Sequence, residues 1–171
     1  MNTYVFNSLK RDNSEEISKT VNLLYDTDKP VIICIGSDLV VGDSLGPIVG
    51  SRLVEKLQGK AYVYGTLLSP ITAKEIQAIK NNLSKLHPYS KILVIDAAIG
   101  NNEEIGYLKI IKNGIKPGLG VNKDLPVIGD VSIIGIVADR CDKNFNVTTR
   151  FSVVYSLIND IVQGVVKAFN Q

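Results

Sequence analysis

The apolar and polar positions along the chain follow two alternating patterns. Short, nearly continuous apolar runs rich in Val and Ile are typical of strands covered on both faces. They predict five strands, at residues 31–36, 61–65, 91–97, 105–112 and 131–137. Apolar residues at helical spacing predict helices at residues 13–26, 47–58 and 72–86, and a long final helix whose apolar positions are Phe151, Val154, Ile158, Ile161, Val165 and Phe169. Strands that alternate with helices predict an α/β sandwich with a largely parallel sheet and right-handed crossovers.

One segment interrupts this alternation. Residues 113–130, NGIKPGLGVNKDLPVIGD, are rich in Gly and Pro and show no clear periodicity. Loops of this length are uncommon inside compact domains and are usually functional or mobile. We therefore interpret the segment as a lid or a binding loop.

Composition narrows the class of protein. The 171 residues are 45% hydrophobic, which predicts one domain over residues 1–171 with a substantial core. The net charge is +2 and the basic residues are scattered, so we expect no nucleic-acid binding. Cys34 and Cys141 are too few for a disulfide framework and favour reduced thiols. The N-terminus lacks the apolar core of a signal peptide, and polar residues interrupt the final helix, so we expect a cytoplasmic protein without membrane segments.

The loop after the first predicted strand contains VVGDSLGP, in which residues 42–46 fit the G-x-S-x-G pattern of a nucleophilic serine. Ser44 nevertheless comes eight positions after Gly36, whereas a nucleophile elbow follows its strand directly. The only histidine, His87, lies outside the late position that a Ser-Asp-His order requires. We therefore expect Ser44 to cap the helix that begins near Pro47 and not to act as a nucleophile.

Two aspartates are better candidates for chemistry. Asp43 lies in the opening loop, and Asp96 ends the strand predicted at residues 91–97. Ligands of open α/β sheets bind at the carboxyl ends of strands, so these side chains share a crevice if the two strands are neighbours. A carboxylate pair can divide the roles of acid and base, or bind a divalent metal ion. Turn formation for Asp43 and backbone capping for Asp96 are the competing interpretations.

Three stretches carry a family resemblance. They are CIGSDLVVGDSLGPIVGSRL, KILVIDAAIG and IKPGLGVNKDLPVIGDVSIIGIV, which together extend over most of the chain from about residue 30 to residue 137. The combination resembles the hydrogenase maturation protease fold and, within it, the spore protease YyaC family of sporulation proteins. The resemblance implies a three-layer α/β/α sandwich of the phosphorylase/hydrolase-like type, with a mostly parallel sheet of about five strands, and an endopeptidase ancestry.

The resemblance also implies roles for the two aspartates. In hydrogenase maturation proteases, the acidic residues at the positions of Asp43 and Asp96 bind metal, together with a histidine from a later loop. The corresponding loop here, residues 113–130, contains no histidine. The related germination protease of spores relies on two aspartates, and the missing histidine favours such metal-independent chemistry. Asp124 or Asp130 is the alternative third carboxylate, although turn or strand-start roles suit both equally well.

Further residues are predicted to bind the substrate. Glycines of the opening loop, at positions 36, 42 and 46, allow the loop backbone to approach the ligand closely or to take a positive φ. Ser37 and Asp38 are expected to line the same crevice as Gly36 and Gly42. Lys123 could stabilise an oxyanion or hold a substrate carboxylate, or be an ordinary exposed lysine. Asp124 completes this set.

Three functions remain open from the sequence. The first is a cytoplasmic endopeptidase of the sporulating cell or forespore that needs no cofactor and cleaves a spore protein, with residues 113–130 closing over the peptide. The second is a non-catalytic binding module, and the third is a peptidase with a divalent metal ion on Asp43 and Asp96. Oligomerisation stays open. The N-terminal 27 residues are either a propeptide or, as the inward-facing positions Ile17, Val21 and Leu24 favour, an intrinsic helix.

Overall fold

One mixed sheet of six strands forms the centre of the computed structural model, which describes residues 3–27, 29–117 and 126–170. The strands are β1 (Thr3–Asn7), β2 (Val31–Cys34), β3 (Tyr62–Tyr64), β4 (Ile92–Gly100), β5 (Tyr107–Ile111) and β6 (Val131–Asp139). Their order in the sheet is β1-β5-β6-β4-β2-β3. Strands β6, β4, β2 and β3 are parallel, whereas β5 runs antiparallel to β6 and to β1.

Helices connect the parallel strands and cover the sheet. They are α1 (Ser14–Leu24), α2 (Leu45–Leu57), α3 (Ile76–Leu86), α4 (Phe145–Thr148) and α5 (Phe151–Phe169). No helix in the part of the chain that the structure describes is long and apolar enough to cross a membrane.

The two sides of the sheet carry separate apolar clusters. Ile32 and Cys34 of β2 belong to a cluster with α1, α2 and α5, whereas Val31 and Ile33 belong to a second cluster with α3. Such alternation follows from the pleat, which directs successive side chains to opposite faces. The predicted α/β/α sandwich is thus confirmed, with one strand more than expected.

The additional strand is β1, which the sequence pattern does not predict. Its side chains alternate, since Tyr4 and Phe6 pack against the core while Val5 is half exposed. β1 is an edge strand covered on one face, so it lacks the continuous apolar run of the buried strands.

The N-terminal segment is part of the fold. Ile17 and Val21 of α1 are fully buried in the cluster that α5 shares. The buried Asn13 side chain donates hydrogen bonds to the Asn7 carbonyl and to Asp160 on α5, at 3.1 and 2.8 Å. The predicted helix with inward-facing Ile17 and Val21 is therefore present, and its being an intrinsic part of the mature protein stays a prediction.

Candidate active site

The opening loop folds back over the sheet after β2. The Gly36 amide donates to the Ile71 carbonyl at 2.9 Å, and the Ser37 amide donates to the Asp43 carbonyl at 3.1 Å. Residues Gly42–Ser44 then form a 3-10 turn that contacts β4. The loop between β2 and α2 thereby brings Asp43 over β4.

Two glycines make this close approach sterically feasible. Gly36 has φ +142°, and a Cβ atom there would lie 2.0 Å from the Asp43 carbonyl oxygen. A Cβ atom at Gly46 would lie 1.9 Å from the Ile35 carbonyl oxygen. Any side chain at either position would push the Asp43 turn or α2 away from the end of β2. The predicted positive φ is confirmed at Gly36, whereas Gly46 approaches the Ile35 backbone, and approach to a ligand stays a prediction.

Asp96 lies level with the end of β2. Ile95 pairs with Cys34, the last residue of β2, whereas β4 itself continues to Gly100 because β6 pairs with it along that length. The prediction that the strand ends at Asp96 is therefore wrong. Asp96 still lies in the crevice at the carboxyl ends of the strands, because the neighbouring strand β2 ends at that level.

Asp43 lies close enough to Asp96 to affect its ionisation. Asp96 is 8% exposed, and its Oδ1 accepts a hydrogen bond from the Ala97 amide at 2.9 Å. Burial raises the pKa of Asp96 well above its ordinary value; the Ala97 amide opposes this shift, and the charge of Asp43 adds to it. Burial also raises the pKa of Asp43, against the effect of the Ser37 amide, although Asp43 remains exposed on one side. The structure thus brings the two predicted aspartates together.

Ser44 has the environment of a structural residue. It is 6% exposed, and its hydroxyl donates to the Val41 carbonyl at 2.7 Å. It directly precedes α2, which begins at Leu45, yet it makes no side-chain capping hydrogen bond. The prediction that Ser44 caps this helix is therefore wrong, while its buried, occupied hydroxyl agrees with the prediction that it is not a nucleophile.

The remaining predicted binding residues divide into two groups. Ser37 is half-buried, Asp38 is exposed and Gly42 is buried, and all three lie on the loop that carries Asp43. Lys123 and Asp124 lie outside the described residues. Only the opening loop therefore contributes predicted binding residues to the site as described.

Two other candidate side chains lie at the opposite end of the parallel strands, where these strands begin. They belong to His87 and Asp130. The His87 ring packs on Tyr62 with centroids 4.4 Å apart, and its Nε2 lies 2.7 Å from the Tyr64 hydroxyl. Asp130 accepts a hydrogen bond from the Ile92 amide at 2.7 Å, at the start of β4. Asp130 therefore has the strand-start role, and the alternative of a third carboxylate beside the aspartate pair is wrong for it.

The residues described do not form a metal centre around Asp43 and Asp96. Within residues 3–27, 29–117 and 126–170, no group of three His, Cys, Asp or Glu side chains is placed to hold a metal ion. Metal binding by Asp43 and Asp96 stays a prediction, because residues 118–125, which include Asp124, lie outside these ranges.

The ends of the predicted lid are anchored at the edge where β6 begins. Ile115 and Ile128 exchange two backbone hydrogen bonds of 3.0 and 2.9 Å. Lys80 of α3 donates to the Val127 carbonyl at 2.8 Å. The flanks of residues 113–130 thus pack beside α3, and closure over the aspartates stays a prediction because residues 118–125 lie outside the description.

Sequence reasoning missed the segment after β3. Besides Ile71, which accepts the Gly36 amide, this segment contains Leu67, whose amide donates to the Ser51 hydroxyl of α2 at 2.9 Å. A signal was available, since residues 65–71 follow a parallel strand at the same edge as the opening loop.

Clefts on the surface do not by themselves identify the site. A cleft of about 620 Å³ lies at the opposite edge, beside Tyr25, Lys29 and Phe169. A smaller cleft of about 320 Å³ includes Val137 and Thr149, against which Gly42 packs. The smaller cleft therefore adjoins the turn that carries Asp43, and the larger one does not.

Solved structures share the fold. A [NiFe] hydrogenase maturation protease, HycI from Thermococcus kodakarensis KOD1, is similar with a TM-score of 0.58 at 15% identity, covering 90% of this chain and 99% of the protease. A peptidyl-tRNA hydrolase in complex with N-propanol is similar with a TM-score of 0.52 at 18% identity, covering 84% and 93%. Identities this low show the fold alone, and they confirm the predicted hydrogenase maturation protease-like fold.

Sequence relatives identify the family. The uncharacterized protein YyaC of Bacillus subtilis (strain 168) is 38% identical over 136 residues, which are 78% of this chain. The match spans 66% of that relative, just under two thirds of its length. The sequence model of the family described as "Protein of unknown function (DUF1256)" matches residues 5–164. The predicted resemblance to YyaC is thus confirmed, and the chain belongs to the DUF1256 family.

Proposed function

We propose that this chain is an endopeptidase that hydrolyses peptide bonds of a protein substrate with Asp43 and Asp96. The observation that carries the proposal is the burial of Asp96 next to the charge of Asp43, at the end of β2. Catalytic acids and bases need shifted pKa values, and two nearby carboxyl groups with different burial divide the two roles. The fold shared with a maturation protease supports the same reaction class.

The burial of each group assigns its role. Asp96 is the more buried, and Asp43 adds to the cost of ionising it, so Asp96 holds the proton. Its Oδ1 accepts the Ala97 amide, which leaves Oδ2 to carry that proton. Asp43 is exposed on one side, so it reaches water and acts as the general base.

The proposed reaction proceeds in two steps. First, Asp43 accepts a proton from water while the water oxygen attacks the peptide carbonyl carbon, and Asp96 donates its proton to the carbonyl oxygen. The product of this step is a neutral tetrahedral diol. Next, Asp96 takes a proton from one diol hydroxyl, Asp43 gives its proton to the amide nitrogen, and the C–N bond breaks. Both carboxyl groups return to their starting states.

The substrate and the compartment are further parts of the proposal. The resemblance to the germination protease supports a spore protein as the substrate and the cytoplasm of a sporulating cell or forespore as the location. The chain needs no cofactor in this scheme. A metal site with three carboxylate ligands would require one from residues beyond those described.

Cleavage of a mixture of small spore proteins by the purified chain, from pH 4 to pH 8 and with or without EDTA, tests the proposal. Wild-type cleavage should survive EDTA, rise with pH as Asp43 ionises and fall as Asp96 loses its proton. Asp43→Asn and Asp96→Asn should each lose activity by at least about 100-fold. The exposed Asp26→Asn, at the opposite edge of the sheet, is the matched control and should keep full activity.

Other results would redirect the proposal. Activity that EDTA abolishes and Mn²⁺ or Zn²⁺ restores would replace it with a metal-dependent peptidase. If the wild type cleaves nothing yet retains a spore protein, the chain is a binding module and the proposal is wrong.

A further inference from the structure

Large apolar side chains are exposed on the loops around the aspartate pair. Leu39 of the opening loop is 87% exposed, Leu68 after β3 is 98% exposed and Val147 after β6 is 85% exposed. Exposed leucines are normal when scattered, but these follow three parallel strands at one edge of the sheet. Phe151, the first residue of α5, is 53% exposed. We call the side chains of Leu39, Leu68, Val147 and Phe151 the apolar rim.

Contacts among the loops place the apolar rim around one site. The Gly36 amide bonds to Ile71, so the segment that carries Leu68 is fixed to the loop that carries Leu39. Gly42 packs against Thr149, two residues after Val147, and α5 contacts the Gly42–Ser44 turn. The loops that carry the rim residues therefore meet at the turn that holds Asp43.

The arrangement indicates the shape of the ligand. The rim residues stand on separate loops, and none of them lines the cleft of about 320 Å³ that adjoins the Asp43 turn. A small molecule would contact one or two of them, whereas an extended polypeptide crossing the turn would contact several. Apolar groups that are exposed close together mark a surface that a partner covers.

We infer that the apolar rim binds apolar side chains of the substrate on either side of the cleaved bond, so the substrate is an extended polypeptide segment rich in Leu, Val or Phe. This inference rests on the proposed function and adds its specificity. Without substrate, the rim side chains are in contact with water. Each contributes to binding because its apolar surface is removed from water only in the complex.

The test compares two double variants. Leu39→Ser combined with Leu68→Ser removes two rim side chains that are almost fully exposed, so folding should be unaffected. Leu86→Ser combined with Tyr89→Ser is the matched control, because these side chains are 66% and 99% exposed at the opposite edge. The probes are fluorogenic decapeptides with Leu, Phe, Ser or Asp at the residues flanking the central bond. We expect the rim variant to lose at least about tenfold in kcat/KM on the Leu and Phe peptides, mostly through KM, and the control to match wild type.

Binding to the Asp43→Asn form, measured by fluorescence anisotropy, separates this inference from the proposed function. If no peptide is cleaved but Leu and Phe peptides bind and the rim variant loses that binding, the rim inference holds and the endopeptidase proposal fails. If wild type and rim variant cleave all peptides alike, or bind none, the rim inference is overturned. Self-association of wild type that the rim variant abolishes would also overturn it, because the rim would then join copies of the chain.

Discussion

Gly46 lies in the first turn of α2, where the helix passes the end of β2. A Cβ atom there would lie 1.9 Å from the carbonyl oxygen of Ile35 and 2.7 Å from its carbonyl carbon. Real Cβ atoms stay at least 3.0 Å from such neighbours, so Gly46→Ala must move α2 away from β2 by about 1 Å in a close-packed region. Because Asp43 lies on the turn that leads into α2, this shift also displaces the proposed base.

Two opposing contributions determine the size of the effect. Alanine is favoured over glycine inside a helix by about 1 kcal/mol. Overpacking costs about 1–3 kcal/mol, and contact with the rigid backbone puts Gly46 at the upper end of that range. We therefore expect Gly46→Ala to lower the free energy of unfolding by about 2 kcal/mol, which corresponds to a fall in Tm of about 4–8 °C for a chain of this length.

Urea-induced unfolding followed by far-UV circular dichroism measures this change. Gly59→Ala is the control, because a Cβ atom there meets nothing within 4 Å, although Gly59 has φ +84°. Its expected loss is only the cost of the left-handed backbone, about 1 kcal/mol. If Gly46→Ala is as stable as wild type, α2 does not pass this close to β2, and the explanation for the position of Asp43 is refuted.

Two further predictions concern buried polar groups. Protonated Asp96 stabilises the fold fully at pH values below its unfolded pKa of about 4, and this stabilisation is lost as pH rises through its raised folded pKa. In urea unfolding, the stability of Asp96→Asn relative to wild type should therefore increase from pH 4 to pH 8. A difference in stability that does not change with pH would contradict this. Asn13→Ala removes the buried amide that bonds to Asp160 and to two backbone carbonyls, so it should cost about 2–3 kcal/mol in the same assay. The control is Asn22→Ala at an exposed position of α1, which should change the free energy of unfolding by less than about 0.5 kcal/mol. An equal loss in both variants would show that the hydrogen bonds of Asn13 do not contribute to stability.

The aspartate pair could be predicted because its placement follows from the sheet. Val31–Cys34 is an unbroken apolar run, and such a run in a parallel sheet delivers the next loop to the carboxyl edge. Asp43 lies on the loop that follows this run, and Asp96 lies in the apolar run of the neighbouring strand. The rule that ligands bind at the carboxyl ends of parallel strands therefore predicts both residues. That rule applies equally to residues 65–71, where no ionisable group drew attention to the segment.

Other expectations failed because they depended on partners distant in the chain. β1 is held by β5 and by the Asn13 contact with α5, neither of which is visible in its own five residues. Ser44 was expected to bond forward to its helix, but the tight turn brings the Val41 carbonyl within reach of its hydroxyl. Asp130 was separated from the aspartate pair by the direction of β6, which begins at the opposite edge.

The sequence by itself determined the layers of this protein, since apolar runs and amphipathic helices can bury their apolar surface only as a sheet between helices. It also indicated that Gly36 could take a positive φ, whereas the close approach of Gly46 to the Ile35 backbone appeared only in the structure. Only the tertiary structure decided which strand ends beside Asp96, how deeply that carboxyl is buried, and that the segment with the exposed Leu68 is bonded to the opening loop. These properties depend on register and on contacts between loops far apart in the chain, and burial and electrostatic interaction arise only once those contacts form.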